Sequence, residues 1–307
     1  MVINHSNNLT SGQWNMDQSD SYLDWRAKKL ASMSDTVAQA GPVELKDLGN
    51  PSESERAELA RRCAFSNAAL YASANNADDP EAVRDQLVGF AAGMGLEIAE
   101  KHRSAGRNGI VALTVSNKDS QRSYIPYSKK PMNWHTDGYY NAPDQKIRAM
   151  VLHCVRPAND GGVNQFLDPE IAYIRVRDEN PDYIDSLMHP QAMTIPENRE
   201  TNGNLRPASI GPVFEVDPTS GNLEMRYTAR TRSISWRDDP ITADAVAFLG
   251  NLLASDEPYI QTTKMNAGEG VLCNNSLHNR TGFDPNLASD SKRMLFRIRF
   301  HNRVTKG

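Results

Sequence analysis

"NWHTDGYYN" (residues 133–141) sets an imidazole and a carboxylate two apart inside an aromatic stretch. On a strand, residues i and i+2 share a face. His135 and Asp137 then project together, with Thr136 turned away. A neutral imidazole and a carboxylate on one face are two of the three ligands of a facial triad. That set suits non-haem Fe(II), because it leaves adjacent positions open. A surface or hydrogen-bonded histidine is the other reading of so short a pattern. A third ligand must come from elsewhere among seven histidines. His5 and His102 lie in polar settings, and His189 sits in a Pro-flanked loop. His153 is in the middle of an apolar strand and reads as a core residue, and His301 ends the last strand. His278, in "VLCNNSLHNRTGF" (271–283), follows a strand and precedes a Gly turn. Its distance along the chain is what a ligand set assembled across two sheets of a barrel would show.

The last strand, "KRMLFRIRFH" (292–301), alternates. Met294, Phe296, Ile298 and Phe300 form one face; Arg293, Leu295, Arg297 and Arg299 form the other. One reading is an edge strand with its arginines in water. The other puts them inside a cavity, where a bidentate carboxylate is the natural partner of a buried guanidinium.

The 307 residues allow one large domain or two small ones, and the 39% hydrophobic content can bury a sizeable core. A net charge of −4 gives no basic footprint for nucleic acid or an anionic membrane surface. No apolar run reaches the roughly 18 residues of a membrane span. The opening "MVINHSNNLTSGQWNMDQ" has neither a cationic start nor an apolar stretch, so no signal peptide is expected and the cytoplasm is the natural compartment. Cys63, Cys154 and Cys273 are odd in number and widely spaced, with no zinc or disulfide pattern; they read as small core residues.

Residues 1–18 read as a flexible arm and 19–307 as a single domain. Within it, 19–105 looks mainly helical. "PSESERAELARRCAFSNAALYASA" (51–74) opens with a Pro and a capping-type Ser and predicts a helix of about five turns. "DDPEAVRDQLVGFAAGMG" (78–95) predicts another, with Pro80 near its start. From 106 to 307 the pattern is short β-rich runs: 109–117, 146–155, 211–216, 223–229, 259–265, 269–275 and 293–301. Helical patches interrupt them at 168–188 and at 242–254, the latter entered through Thr242. The fold class is thus mainly β with a helical N-terminal region and helical insertions, a sheet-on-sheet or barrel architecture.

With "HTD", "NNSLHNRTGF" and "KRMLFR" in that order, the chain resembles the Fe(II)/2-oxoglutarate dioxygenases of the taurine dioxygenase class. "LHNRTGF" looks closest to the His-Gly-Arg region of γ-butyrobetaine hydroxylase and clavaminate synthase relatives. "GPVFEVDPTSGNLEMRYTARTR" is similar to glutarate-hydroxylase-like members. The resemblance covers residues 110–303. It implies a double-stranded β-helix (jelly roll), with Fe(II) held by His135, Asp137 and His278. It puts Arg293 on the distal carboxylate of 2-oxoglutarate, and Arg297 on the substrate or the co-substrate's iron-bound end. "GGVNQFLD" (161–168) falls where the family has Gly-Gly-x-Thr, so Asn164 replaces the threonine that helps hold 2-oxoglutarate; its amide can also donate to a carboxylate. Arg280 is read as supporting or structural. The implied reaction uses O2 and couples 2-oxoglutarate decarboxylation to hydroxylation. Because Asp137 is retained, hydroxylation is favoured over halogenation.

Trp134, Tyr139, Tyr140 and Asn141 adjoin the His-x-Asp pair. The aromatics could box a cationic group or simply pack the core. Arg226, Arg230 and Arg232 could hold a substrate carboxylate or sulfonate, or sit on a solvated loop. The substrate expected is a small carboxylate or amino-acid-like molecule, with no nucleic-acid or membrane partner; a homo-oligomer is left open. Two rival readings stand beside the dioxygenase. One is a zinc-dependent hydrolase using the same three ligands with a bound water. The other is a non-catalytic jelly roll that binds 2-oxoglutarate.

Overall fold

The first strands of the main sheet come from the region expected to be helical. The computed structural model describes residues 12–39, 41–74, 79–97, 99–100, 107–115, 125–199, 203, 205–284 and 292–305. The chain begins with α1 (Ser19–Gln39), β1 (Val43–Leu45), α2 (Glu53–Ser66), β2 (Ala68–Ser73) and α3 (Pro80–Gly93). The helix expected over 51–74 therefore divides. Ser52 caps α2 through a reciprocal box with Glu55, as the Ser-x-x-Glu spacing predicts. Asn67 then takes left-handed geometry (φ 53°), which an Asn tolerates, and ends the helix. The Ala-rich run after it is a strand, because pairing on both sides outweighs alanine's helical preference.

Next come β3 (Val111–Thr114), β4 (Met132–His135), β5 (Ala149–Arg156) and β6 (Asn164–Leu167). Two helices, α4 (Pro169–Glu179) and α5 (Pro181–Leu187), follow where one patch was expected. Seven short strands lead on: β7 (Met193–Ile195), β8 (Asn198–Arg199), β9 (Leu205–Arg206), β10 (Ser209–Gly211), β11 (Phe214–Val216), β12 (Leu223–Met225) and β13 (Ser235–Trp236). Then come α6 (Pro240–Ala254), β14 (Gln261–Thr263), β15 (Glu269–Cys273), β16 (Leu277–Arg280) and β17 (Met294–Phe300). The cap of α6 is Asp239, not Thr242; Thr242 donates its N–H (3.1 Å) and its hydroxyl (2.5 Å) to the Asp239 carboxylate.

Two sheets organise the molecule. The larger runs β1-β2-β15-β5-β17-β3 and the smaller β14-β6-β16-β4. Since β2 pairs with β15, no boundary separates a helical region 19–105 from a core beginning at 106. One face of the large sheet carries Val151, Leu272, Phe296 and Ile298 against Leu59, Val83, Leu87 and Phe90 of α2 and α3. Its other face carries Met150, Leu152, Cys154, Val271, Cys273 and Leu295, which meet Phe166 of the small sheet. Leu167 and Leu277 point the opposite way and join the core built on α4, α5 and α6. Period-two alternation thus makes the small sheet the middle layer. A fully buried Leu or Phe stabilises by about 1.5–3 kcal/mol relative to its exposed form; these three clusters hold the layers together.

The arm expected over 1–18 is not loose in its described part. Trp14 is buried, packs edge-on against Trp25 and Tyr173, and donates its indole N–H to the Gly221 carbonyl at 3.0 Å. Residues 1–11 of that arm lie outside the described residues, as do His5 and His102. All three cysteines are buried and free, as expected of core residues. Among the described residues no helix is long and apolar enough to cross a membrane.

Candidate active site

His135 and His278 stand directly opposite each other on neighbouring antiparallel strands, β4 and β16. Their ring centroids are 4.2 Å apart. The expectation of ligands drawn from two sheets is therefore corrected: both histidines belong to the small sheet. The large sheet contributes the arginines that face them. Nor do His135 and Asp137 share a strand face. β4 ends at His135, and Asp137 lies in the turn that follows. Gly138 shapes that turn: its φ is +69°, and a Cβ there would stand 2.5 Å from Ile147 Cγ1.

The turn is held at both ends. Thr136 does point away, donating its N–H to the Tyr227 carbonyl and accepting the Tyr227 N–H at its hydroxyl, both at 3.0 Å. Asn275 clamps Asp137 by its backbone, accepting its N–H at 2.7 Å and donating to its carbonyl at 3.0 Å.

One nitrogen from each histidine and one Asp137 oxygen lie within 4.8 Å of one another, all three residues buried. Nδ1 of His135 is 2.8 Å from the Asn133 carbonyl, and Nδ1 of His278 is 3.0 Å from the Ser276 carbonyl. A carbonyl can only accept, so each Nδ1 carries the proton and each Nε2 presents a lone pair. Burial lowers the His135 pKa to about 3, and the neighbouring His278 adds to this; burial lowers His278 also. For Asp137, burial favours the protonated acid, but Arg297 and Arg299 outweigh it and hold the carboxyl below the usual range. Asp137 Oδ1 accepts from Arg297 Nη1 at 3.0 Å and lies 3.5 Å from Arg299 Nη1. Oδ2 is buried with no hydrogen-bond partner among the described residues. Two imidazole lone pairs and one unused carboxylate oxygen fit the donor set of a divalent metal.

The depressed histidines set an acid limit for the metal-free protein. His153, wholly buried beside the Tyr71 hydroxyl (3.2 Å), is lowered to about 4 by burial. Between pH 6.5 and about 4 the unfolded chain binds protons that folded His135 and His153 refuse. Stability is therefore expected to fall as pH drops, by about 1.4 kcal/mol per pH unit for each histidine. Urea denaturation of the metal-free protein at pH 7, 6 and 5 measures the slope; a flat profile would contradict it. His153 faces α3 and not the ligand cluster, as its core reading requires.

The arginine face of β17 is internal: Arg293, Arg297 and Arg299 are 5%, 8% and 4% exposed. Arg293 immediately precedes β17, its guanidinium 4.6 Å from the centroid of Phe283. It shares a small pocket with Asn164, Gly162 and Cys154. Burial brings its pKa down to about 10, and among the described residues no carboxylate pairs with it. The Asn164 amide donates to the Gly162 carbonyl at 3.2 Å. Arg280 is structural, donating to the carbonyls of Ser128 and Lys130.

The substrate candidates separate. Trp134 packs into the helical core. Tyr139 sets its ring edge-on to His135, with 6.2 Å between centroids, and its hydroxyl accepts from Arg230 at 3.3 Å. Tyr140 and Asn141 line a cavity of about 560 Å³ with Glu100, Gln145, Arg206 and His301. Arg226 is not free for a substrate. Its guanidinium donates to the carbonyls of Tyr139, Met193, Gly211 and Ser209 and to the Ser209 hydroxyl, so it fastens the turn after Asp137 to the neighbouring strands. Arg232 is exposed. Two residues escaped the sequence reading, Glu100 and Asn275, and neither left a signal in the sequence. Arg299 was legible only through its place on the arginine face; its pairing with Glu100 was not.

A family model described as "Taurine catabolism dioxygenase TauD, TfdA family" matches residues 12–299. The chain belongs to this family of dioxygenases. A uridine-5'-phosphate dioxygenase of Amycolatopsis sp is 33% identical over 95 residues, 31% of this chain and 33% of that protein. Another, of Streptomyces sp, is 28% identical over 113 residues, 37% and 39% of the two chains. The chain spans between a third and two fifths of the length of these curated relatives. Among solved structures, the non-heme iron oxygenase OrfP in complex with Fe, succinate and (3S)-hydroxy-L-Arg superposes with a TM-score of 0.60 at 16% identity, over 84% of this chain and 81% of that one. An asparagine oxygenase with Fe(II), 2S,3S-3-hydroxyasparagine and succinate gives 0.58 at 15% identity, over 80% and 78%. At such identities the likeness is one of fold.

Proposed function

We propose that this protein is an Fe(II)- and 2-oxoglutarate-dependent dioxygenase that hydroxylates a small, polar, amino-acid-like substrate. The observation that carries it is the buried cluster of His135, Asp137 and His278, one ligand atom of each within 4.8 Å of the others, in which both Nδ1 atoms are taken by carbonyls and Asp137 Oδ2 has no partner among the described residues. The two layered sheets are read as a double-stranded β-helix. His135, Asp137 and His278 would hold the iron. Iron with 2-oxoglutarate and O2 would supply the oxidising power, converting 2-oxoglutarate to succinate and carbon dioxide as a substrate C–H becomes C–OH.

The chain's own part is binding and shielding. Arg293 offers a desolvated guanidinium to the far carboxylate of 2-oxoglutarate, with the Asn164 amide in the same pocket. The Asn133 and Ser276 carbonyls keep both imidazoles in the ligating tautomer. The cavity beside Tyr140 and Asn141 lies within the range of small-molecule sites. OrfP and the asparagine oxygenase hold hydroxylated amino acids, which supports that substrate class. A zinc hydrolase with the same ligands leaves the buried Arg293 without a purpose.

The test is an anaerobic spectrum of the metal-free protein with Fe(II), before and after 2-oxoglutarate. A weak visible charge-transfer band is expected. In Arg293→Ala, the half-saturating 2-oxoglutarate concentration is expected to rise by about 10- to 100-fold, since a hydrogen bond to a charged group is worth about 1.5–3 kcal/mol. Zinc binding without any such band would favour the hydrolase.

A further inference from the structure

We infer that Arg299, with Glu100 as its counter-charge, is a positioning residue for the Asp137 carboxylate. The inference rests on the metal reading above. Arg297 and Arg299 both address the same oxygen, Oδ1, at 3.0 and 3.5 Å. Two guanidiniums on one oxygen oppose rotation of the carboxylate about its last bond. Oδ2 is then the oxygen left without a partner among the described residues, and so the one available to a metal.

Arg299 is itself fixed from the far side. It forms an ion pair with Glu100 and donates to the Tyr140 hydroxyl at 3.1 Å. Glu100 is anchored in turn: its N–H donates to the Arg299 carbonyl at 2.7 Å, and its Oε1 accepts from Asn141 Nδ2 at 2.8 Å. The charges matter as much as the contacts. Asp137 and Arg297 alone would be neutral, and a second arginine would make the group net cationic, opposing a divalent ion. Glu100 restores neutrality, so the second anchor costs the metal no net repulsion.

Two variants preserve the net charge and remove the anchor. Arg299→Lys keeps the cation but lacks the fork that reaches Asp137, Glu100 and Tyr140 together. The double variant Glu100→Gln/Arg299→Gln removes both charges at once and leaves no unpaired carboxylate. Fe(II) is titrated anaerobically into each by calorimetry, and the Fe(II)–2-oxoglutarate band is then recorded. Both variants are expected to bind Fe(II) about tenfold more weakly than the parent, as is typical when an outer partner of a ligand is lost, with a displaced band. Parental affinity and band in both, even with lowered thermal stability, would show a merely structural pair and overturn the inference. A parent that binds no Fe(II) would overturn the metal reading itself.

Discussion

Asp137→Asn is expected to abolish Fe(II) binding and 2-oxoglutarate turnover, and to weaken the fold even without metal. The asparagine matches the aspartate in shape and keeps a carbonyl oxygen for Arg297. It lacks the anionic Oδ2, which in the parent has no hydrogen-bond partner among the described residues. The stability loss comes from the other side of the site. Arg297 and Arg299 are both buried, and they share two carboxylates, Asp137 and Glu100. With Asp137 neutral, the two guanidiniums are left with one anion among the described residues. Breaking a buried ion pair from one side costs about 3–5 kcal/mol, and the retained hydrogen bond places this variant toward the lower end. Metal titration and urea denaturation of the metal-free protein read the two effects separately. Retained Fe(II) binding would remove Asp137 from the ligand set. An unchanged unfolding midpoint would show the arginines to be neutralised elsewhere.

Much of the site's chemistry was readable, and much of its assembly was not. Period-two alternation in "KRMLFRIRFH" placed Arg293, Arg297 and Arg299 on one face, because alternation belongs to the extended backbone itself and holds even where the pairing with β5 shifts register at Met294–Leu295. Ser52 and Glu55 announced the start of α2 because a capping box is local. Three features were hidden because they depend on distant residues. The turn that takes Asp137 off its strand depends on Gly138 against Ile147, and on Asn275 reaching across. The pairing of β16 beside β4 is a register between segments far apart in sequence. β2 looks helical from its alanines and is a strand because β1 and β15 flank it. Arg226 shows the same limit in another form: an arginine near a site reads as a substrate anchor until its five N–H groups are found on backbone and serine oxygens.

Lys29→Met is expected to lower stability by about 3–5 kcal/mol, out of a typical total of 5–15. Lys29 is 7% exposed and sits between two carboxylates, 2.6 Å from Asp168 Oδ2 and 2.5 Å from Glu170 Oε2; it also donates to the Phe65 carbonyl. Burial alone would lower the lysine pKa, but the two carboxylates outweigh it and raise it. Methionine fills the stem's volume and removes the charge, so the expected loss is electrostatic and not a cavity. Asp168 and Glu170 would then face each other in a dry setting without the cation that pairs with both, leaving only the more distant pull of Arg303. The damage spreads because Asp168 also caps α4 and accepts from Asn67 Nδ2 at 2.9 Å. Asn67 ends α2, and its carbonyl accepts from Asn274 N–H (2.8 Å) and the Ser276 hydroxyl (2.9 Å), two residues before His278. One lysine therefore ties α1 to α4 and, through Asn67, to the strand that carries a metal-ligand candidate. Glu170 is already pushed up by burial and by the Asp168 charge, against the pull of Lys29. Adding Glu170→Gln to Lys29→Met should accordingly recover part of the loss, which isolates the charge effect from the packing effect. Urea denaturation at constant m-value decides the matter. A loss below about 1 kcal/mol would mean that the carboxylates take up protons when the lysine leaves, and that the pair contributes little to holding the layers together.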